Sequence, residues 1–156
     1  TNASNGLVFW QGQGPNEDGV GRDNIGLAVV DGYLLFTFTA GSGAVDIPNR
    51  HIQIDDGKVH TVVLKRRGNY GSIEIDNEYL EHGEGSYAKG IDIQGNIYLG
   101  GAPNVSLMTG RFNQGFVGCI HAFEVQDSHT IELGAKAISG INVKPCSSSY
   151  EEEIVH

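Results

Sequence analysis

The stretch from Arg22 to Gly41 constrains this chain more than any other. Apolar residues alternate on either side of Asp31-Gly32: Ile25, Leu27 and Val29 before it, Leu34, Phe36 and Phe38 after it. Alternation with period two marks a half-buried strand. An Asp-Gly link between two such runs favours a primed turn, whose positive φ angles these residues tolerate. The stretch is therefore predicted to be a β-hairpin. Pairing its arms about the turn brings Asp23, at the start, and the end at Ala40-Gly41 to one rim. A carboxylate beside a backbone carbonyl is half of a calcium site, because calcium takes hard oxygen ligands.

The same punctuation runs through the rest of the chain. Its 23 glycines among 156 residues fall between short apolar runs with no triplet period, which excludes collagen and suits an all-β protein with many tight turns. Leu7 to Trp10 reads as a strand after an Asn5-Gly6 turn, and Gln13 to Gly21 as a loop. Val45 to Ile54 is mixed, with Pro48 pointing to an edge strand or an irregular connection. Asp56-Gly57 turns into a strand over His60 to Arg66. Gly71 to Ile75 is another strand, and Asp76-Asn77 turns it into Glu78-Tyr79-Leu80. A loop over His82 to Lys89 precedes a strand over Asn96 to Leu99, stopped by Gly100-Gly101. Phe116 to Val125 alternates as a further strand, and Ile131 to Ile138 holds the one helical hint. No repeat or linker divides the chain, so one domain is expected over 1–146, followed by a flexible acidic tail over 147–156. Short strands at this spacing predict an antiparallel β-sandwich.

Charge and cysteine content narrow the function. The formal net charge of −9 argues against nucleic acid or heparin as the main partner, since both need a basic surface. Lys65-Arg66-Arg67 is the one basic cluster and reads as a solvated strand end before Gly68-Asn69. No apolar run approaches the roughly 20 residues of a membrane span, and no signal peptide opens the chain, which suggests a mature or excised segment. Two cysteines, Cys119 and Cys146, are too few and too far apart for a thiolate metal site. If they pair, the closed loop of about 28 residues contributes roughly 3.5 kcal/mol in the chain-entropy model. Asn2-Ala3-Ser4 and Asn104-Val105-Ser106 are both acceptors for N-linked sugars. Two acceptors and a cysteine pair favour a secreted protein.

Catalytic readings are weaker. Glu74-Ile75-Asp76-Asn77-Glu78 resembles the Glu-x-Asp-x-Glu strand of laminarinase-type glycoside hydrolases, where alternate carboxylates share one face about 5 Å apart. Asp76-Asn77 is better read as a hairpin turn that breaks the strand before Glu78. The six histidines are scattered without a His-x-x-x-His pair, and no serine lies in a Gly-x-Ser-x-Gly elbow. The chain is not expected to be an enzyme.

Six segments in order resemble the laminin G-like (LNS) domain of laminins, agrin, perlecan and neurexins. They are Asn5 to Trp10, Asp23 to Leu34, Asp56 to Val62, Gly71 to Asp76, Ile97 to Pro103 and Gly115 to Ile120, with Cys146 at a family-like distance. Within the family the chain is most similar to the C-terminal modules of perlecan, then agrin. The resemblance implies a concanavalin A-like jelly-roll sandwich, and domains of this family carry further strands ahead of the Asn5-Gly6-Leu7 segment. It implies a Cys119–Cys146 disulfide. It also implies a calcium ion held by Asp23, the carbonyl of Ala40 before a glycine, Asp92 eight residues before Gly100-Gly101, and the carbonyl of Gly90 two residues earlier.

These implications together describe a secreted basement-membrane adhesion module. Its expected ligand is an acidic glycan of the α-dystroglycan type or a matrix receptor, bound at open calcium positions with Arg22 and Arg50 as rim cations. A calcium-independent protein-binding module, docking an integrin or a matrix partner, is the alternative.

Overall fold

Two consecutive residues in the left-handed region set both the Asp31-Gly32 turn, read as primed, and the Asp76-Asn77 hairpin turn. Asp31 and Gly32 have φ of 51° and 85°, and Asp76 and Asn77 have 55° and 56°. The computed structural model describes residues 1–12, 23–40, 43–86, 96–125 and 146. Its strands are β1 (Gly6–Gly12), β2 (Asn24–Val30), β3 (Tyr33–Ala40), β4 (Gly43–Asn49), β5 (Val62–Arg67), β6 (Tyr70–Ile75), β7 (Tyr79–Glu84) and β8 (Ile97–Leu99), with one short helix, α1 (Val105–Thr109). The chain divides into two compact units, Thr1–Gly118 and Cys119–His156.

In the first unit the strands form two antiparallel sheets, one ordered β4-β3-β2-β1-β8 and the other β5-β6-β7. The hairpin has the register its alternation dictates: Ile25 faces Phe38, Leu27 faces Phe36 and Val29 faces Leu34. Pairing continues on both sides, so Phe9, Leu27, Phe36 and Ile47 form one row across four strands. All four are buried, as are Phe38, Ile73 and Ile75. Burying each such side chain stabilises the fold by roughly 1.5–3 kcal/mol. The second sheet packs on this face at glycines. A Cβ on Gly71 would lie 2.4 Å from Phe38, and one on Gly83 would lie 2.8 Å from Ile47. Pro48 stands on β4, the end strand of its sheet, where a residue without an N–H is tolerated.

The opposite face of the five-stranded sheet has its own cover. A register shift between Leu7 and Phe9 turns Leu7 and Trp10 to the same side. They form an apolar cluster with Ala28, against which Tyr98, Ala102, Val105, Met108 and Phe112 pack. Arg111 clamps this cover down. Its guanidinium donates to both Asp46 oxygens at 2.8 and 2.7 Å and to Thr37 Oγ1 at 3.2 Å.

Three readings of the sequence change. Phe116 to Val125 forms no strand: Gly115 makes a single bridge to Leu7, and the alternation beyond it has no ladder among the described residues. Period two fits a strand only where a partner edge is available. β7 runs on through His82 to Glu84, because Gly83 fits under Ile47 and lets the pairing continue, so the loop begins later than predicted. Helix α1, which lacks a long apolar period, is capped by Asn104 and closed by Gly110 at φ 68°. The helical turn in 131–138 and the acidic tail over 147–156 lie outside the described residues. In the second unit, Cys119 and Cys146 are joined by a disulfide with Cα atoms 5.7 Å apart.

Candidate functional site

The β2–β3 ladder decides where Asp23 lies. Ile25 pairs with Phe38, and the Asn24 N–H donates to Thr39 Oγ1 at 3.1 Å, so the next position carries Asp23 opposite Ala40. Ala40 in turn pairs with Gly43 at the start of β4. Strand β1 reaches the same rim at Gly12, opposite Asn24. A Cβ on Gly12 would lie 2.6 Å from the Asn24 Cβ and 3.0 Å from the Asp23 carbonyl, so a glycine is required for this approach. Among the described residues the rim thus holds a half-buried carboxylate, one residue before β2, and the end of the β3 backbone, which the β3–β4 ladder fixes.

Sequence reasoning missed a cation at this rim. Val62, Leu64 and Arg66 share the inward side of β5, which places the Arg66 guanidinium 5.0 Å above the ring of Phe38, the residue opposite Ile25. Nε and Nη2 both donate to the Gly68 carbonyl at 3.2 Å. Burial pushes the Arg66 pKa below the usual arginine value, and the charge of Asp23 acts against that shift. The signal was legible: in Lys65-Arg66-Arg67 the middle residue is the one on the inward period.

The other residues read from the sequence fall differently. Arg22, Gly90 and Asp92 lie outside the described residues. Arg50 follows Asn49, which pairs with Leu34 beside the Asp31-Gly32 turn. That is the far end of β4 from Gly43, roughly 20 Å along the strand. Arg50 is therefore not a cation of the Asp23 rim, and Arg66 occupies that position instead.

The end of the unit bearing the Asp31-Gly32 turn carries a second polar cluster. His60 Nδ1 meets Asp76 Oδ2 at 2.7 Å, and its Nε2 meets Asp56 Oδ1 at 2.8 Å. Burial alone would lower the His60 pKa, but the two carboxylates, by hydrogen bond and charge, raise it above 6.5. Asp56 is held below 3.8 by the His60 hydrogen bond and the Lys58 N–H. Asp76, although burial works against it, is also lowered, by His60 and the Thr61 N–H. Asp76 therefore serves a turn and a clasp, and the turn ends the strand before Glu78. Glu74, Asp76 and Glu78 do not line one strand face, as a glycosidase would need. In the second unit His121 stands beside the Cys119 and Cys146 sulfurs, but the disulfide engages both.

Known proteins resemble this chain closely. The Laminin G domain family matches residues 1–130. The basement membrane proteoglycan of Caenorhabditis elegans is 39% identical over 94% of this chain, and the chain spans 4% of that protein. The basement membrane-specific heparan sulfate proteoglycan core protein of Mus musculus is 32% identical over 95% of this chain, again 4% of the relative. Among solved structures, domains LG4-5 of the mouse laminin alpha1 chain superpose with a TM-score of 0.62 at 24% identity, covering 74% of this chain and 30% of that one. The structural likeness carries the jelly-roll sandwich fold.

Proposed function

This chain belongs to the laminin G domain family, a family of binding modules, and on that premise we propose that it is a calcium-dependent adhesion module of the extracellular matrix that recognises an acidic glycan. The observation that supports the reading is the β2–β3 register, whose last pair, Ile25 with Phe38, leads out to Asp23 and Ala40, together with the action of the Asp23 charge on Arg66. Relatives named as basement membrane proteoglycans supply the matrix setting.

The residues fit a hard divalent cation. Asp23, one residue before β2, offers an anionic oxygen, and Ala40, at the end of β3, a carbonyl; Gly90 and Asp92 would complete the protein ligands. Bound calcium supplies a charge with open coordination positions for sugar hydroxyl or carboxylate oxygens, and few protein ligands keep its affinity in the roughly 10⁻⁴ to 10⁻³ M range of extracellular modules. Arg66 supplies what the ion does not. Its planar guanidinium is held on Phe38 with Nε and Nη2 bonded to the Gly68 carbonyl, which leaves Nη1 as a directed donor for a carboxylate. Charge reversal at the rim also answers the long-range problem, since a chain of net charge −9 repels an acidic ligand until local cations take over.

That same net charge favours a second reading, a module that docks an integrin or another matrix protein without calcium. Solid-phase binding to α-dystroglycan-type glycan, in calcium and in chelator, separates the two. The glycan reading expects binding that is lost in chelator and in Asp23→Ala while the melting temperature in chelator stays equal to wild type. It fails if glycan binding persists in chelator or if the protein binds no glycan in calcium.

A further inference from the structure

We infer that Asn104 carries an N-linked oligosaccharide, and that the α1 side of the five-stranded sheet is a glycan-covered face rather than a docking face. Three observations converge on this residue. Asn104-Val105-Ser106 is an acceptor triplet with no proline at its centre. Asn104 and Ser106 are both exposed. The side chain divides its two functions cleanly: Oδ1 accepts the Leu107 N–H at 3.0 Å as the helix cap, while Nδ2 makes no hydrogen bond among the described residues. Capping needs only the oxygen, and glycosylation uses only the nitrogen.

In the modification, Asn104 Nδ2 forms a bond to the anomeric carbon of an oligosaccharide carried on a polyprenyl pyrophosphate. The anomeric carbon–oxygen bond to the pyrophosphate breaks, the leaving pyrophosphate keeps the electron pair, and one amide proton is lost. The product keeps a planar amide with its carbonyl oxygen intact. The cap therefore survives, and the sugar projects from the start of α1 toward solvent.

Asn2 is built differently. Its Oδ1 lies 2.9 Å from the position a Cβ on Gly57 would take, and the hydroxyl of Ser4 in the same triplet donates to Asp55 Oδ2 at 2.8 Å. The Gly57 N–H also donates to the Thr1 carbonyl, so this segment is stitched to the 55–57 loop. A glycan at Asn104 meets no such neighbour. It also lies beside Leu107, which is 66% exposed on the helix surface. An oligosaccharide there shields that apolar side chain and leaves the Asp23 rim as the open surface.

The test uses the chain secreted from mammalian cells in a Ser4→Ala background, which removes the Asn2 acceptor. Treatment with peptide-N-glycosidase should lower the mass by one N-glycan and leave aspartate at position 104 in peptide mass spectra. Ser106→Ala, which leaves the cap in place, should abolish the shift. If Ser106→Ala is poorly secreted, Asn104→Asp serves instead, because aspartate caps as well as asparagine and has no amide to glycosylate. Unmodified Asn104 in the secreted Ser4→Ala protein, or a mass shift that survives either variant, would overturn the inference.

Discussion

Gly71→Ala places a methyl group where the two sheets touch. The added Cβ would lie 2.4 Å from Phe38 Cε1, 3.0 Å from Cζ and 3.1 Å from Ile47 Cδ1. Phe38 is fully buried and Ile47 is 2% exposed, so neither can swing outward. Overpacking of this kind costs about 1–3 kcal/mol. The backbone at Gly71 is ordinary strand, so alanine also restricts the unfolded chain, and that offsets about 0.4–1 kcal/mol. A net loss of about 1–2 kcal/mol remains, which lowers the Tm of a domain this size by roughly 4–10 °C. Gly43→Ala is the control, since nothing lies within 4 Å of its Cβ position and its gain should be about 0.4–1 kcal/mol. Thermal denaturation followed by circular dichroism reads both variants. A Gly71→Ala protein as stable as Gly43→Ala would refute the close packing of the sheets at Phe38.

The remaining predictions concern individual clusters. The His60 clasp should give a pH-dependent stability increment, read as the Tm difference between wild type and His60→Gln. Because His60 is raised above 6.5, its share is full below that value and fades as pH rises through the folded pKa. Because Asp56 and Asp76 lie below 3.8, their share is full above that value and fades as pH falls through theirs. The difference should therefore peak between the two and shrink on either side. Asp46→Ala leaves Arg111 without its bidentate partner at a half-exposed site, a loss of about 1 kcal/mol that should appear as faster proteolysis within 104–112. Cys119→Ser together with Cys146→Ser should cost about 3.5 kcal/mol in the unit that holds the disulfide, read as faster hydrogen exchange over 119–125.

Local signals carried much of this fold into the sequence. Ile25 through Phe38 show both period and turn, and their register alone brings Asp23 to Ala40. Pro48 marks its strand as an edge, and Asp76-Asn77 marks its hairpin. What stayed hidden depends on partners distant in the chain. Val117, Cys119, His121 and Phe123 alternate as a strand does, yet alternation supplies no neighbouring edge to pair with. Gly71 and Gly83 look like the turn glycines around them, but their role is clearance for Phe38 and Ile47 from the other sheet. His60 reaches Asp76 across 16 positions and Arg111 reaches Asp46 across 65, and neither separation leaves a local trace. Arg50 was misplaced because its strand could not be given a direction until the pairing with Leu34 was known. Arg66 was the reverse case: its inward period was visible, but two flanking cations made the triplet look like a solvated end.

The most direct measurement is calcium titration by calorimetry on wild type and Asp23→Ala, with melts to confirm that both are folded. A calcium-binding rim gives a single weak site in the wild type, with Kd in the roughly 10⁻⁴ to 10⁻³ M range, and none in the variant. A wild-type isotherm without heat across that range, or one unchanged by Asp23→Ala, would contradict a calcium-binding rim at this end of the β2–β3 hairpin.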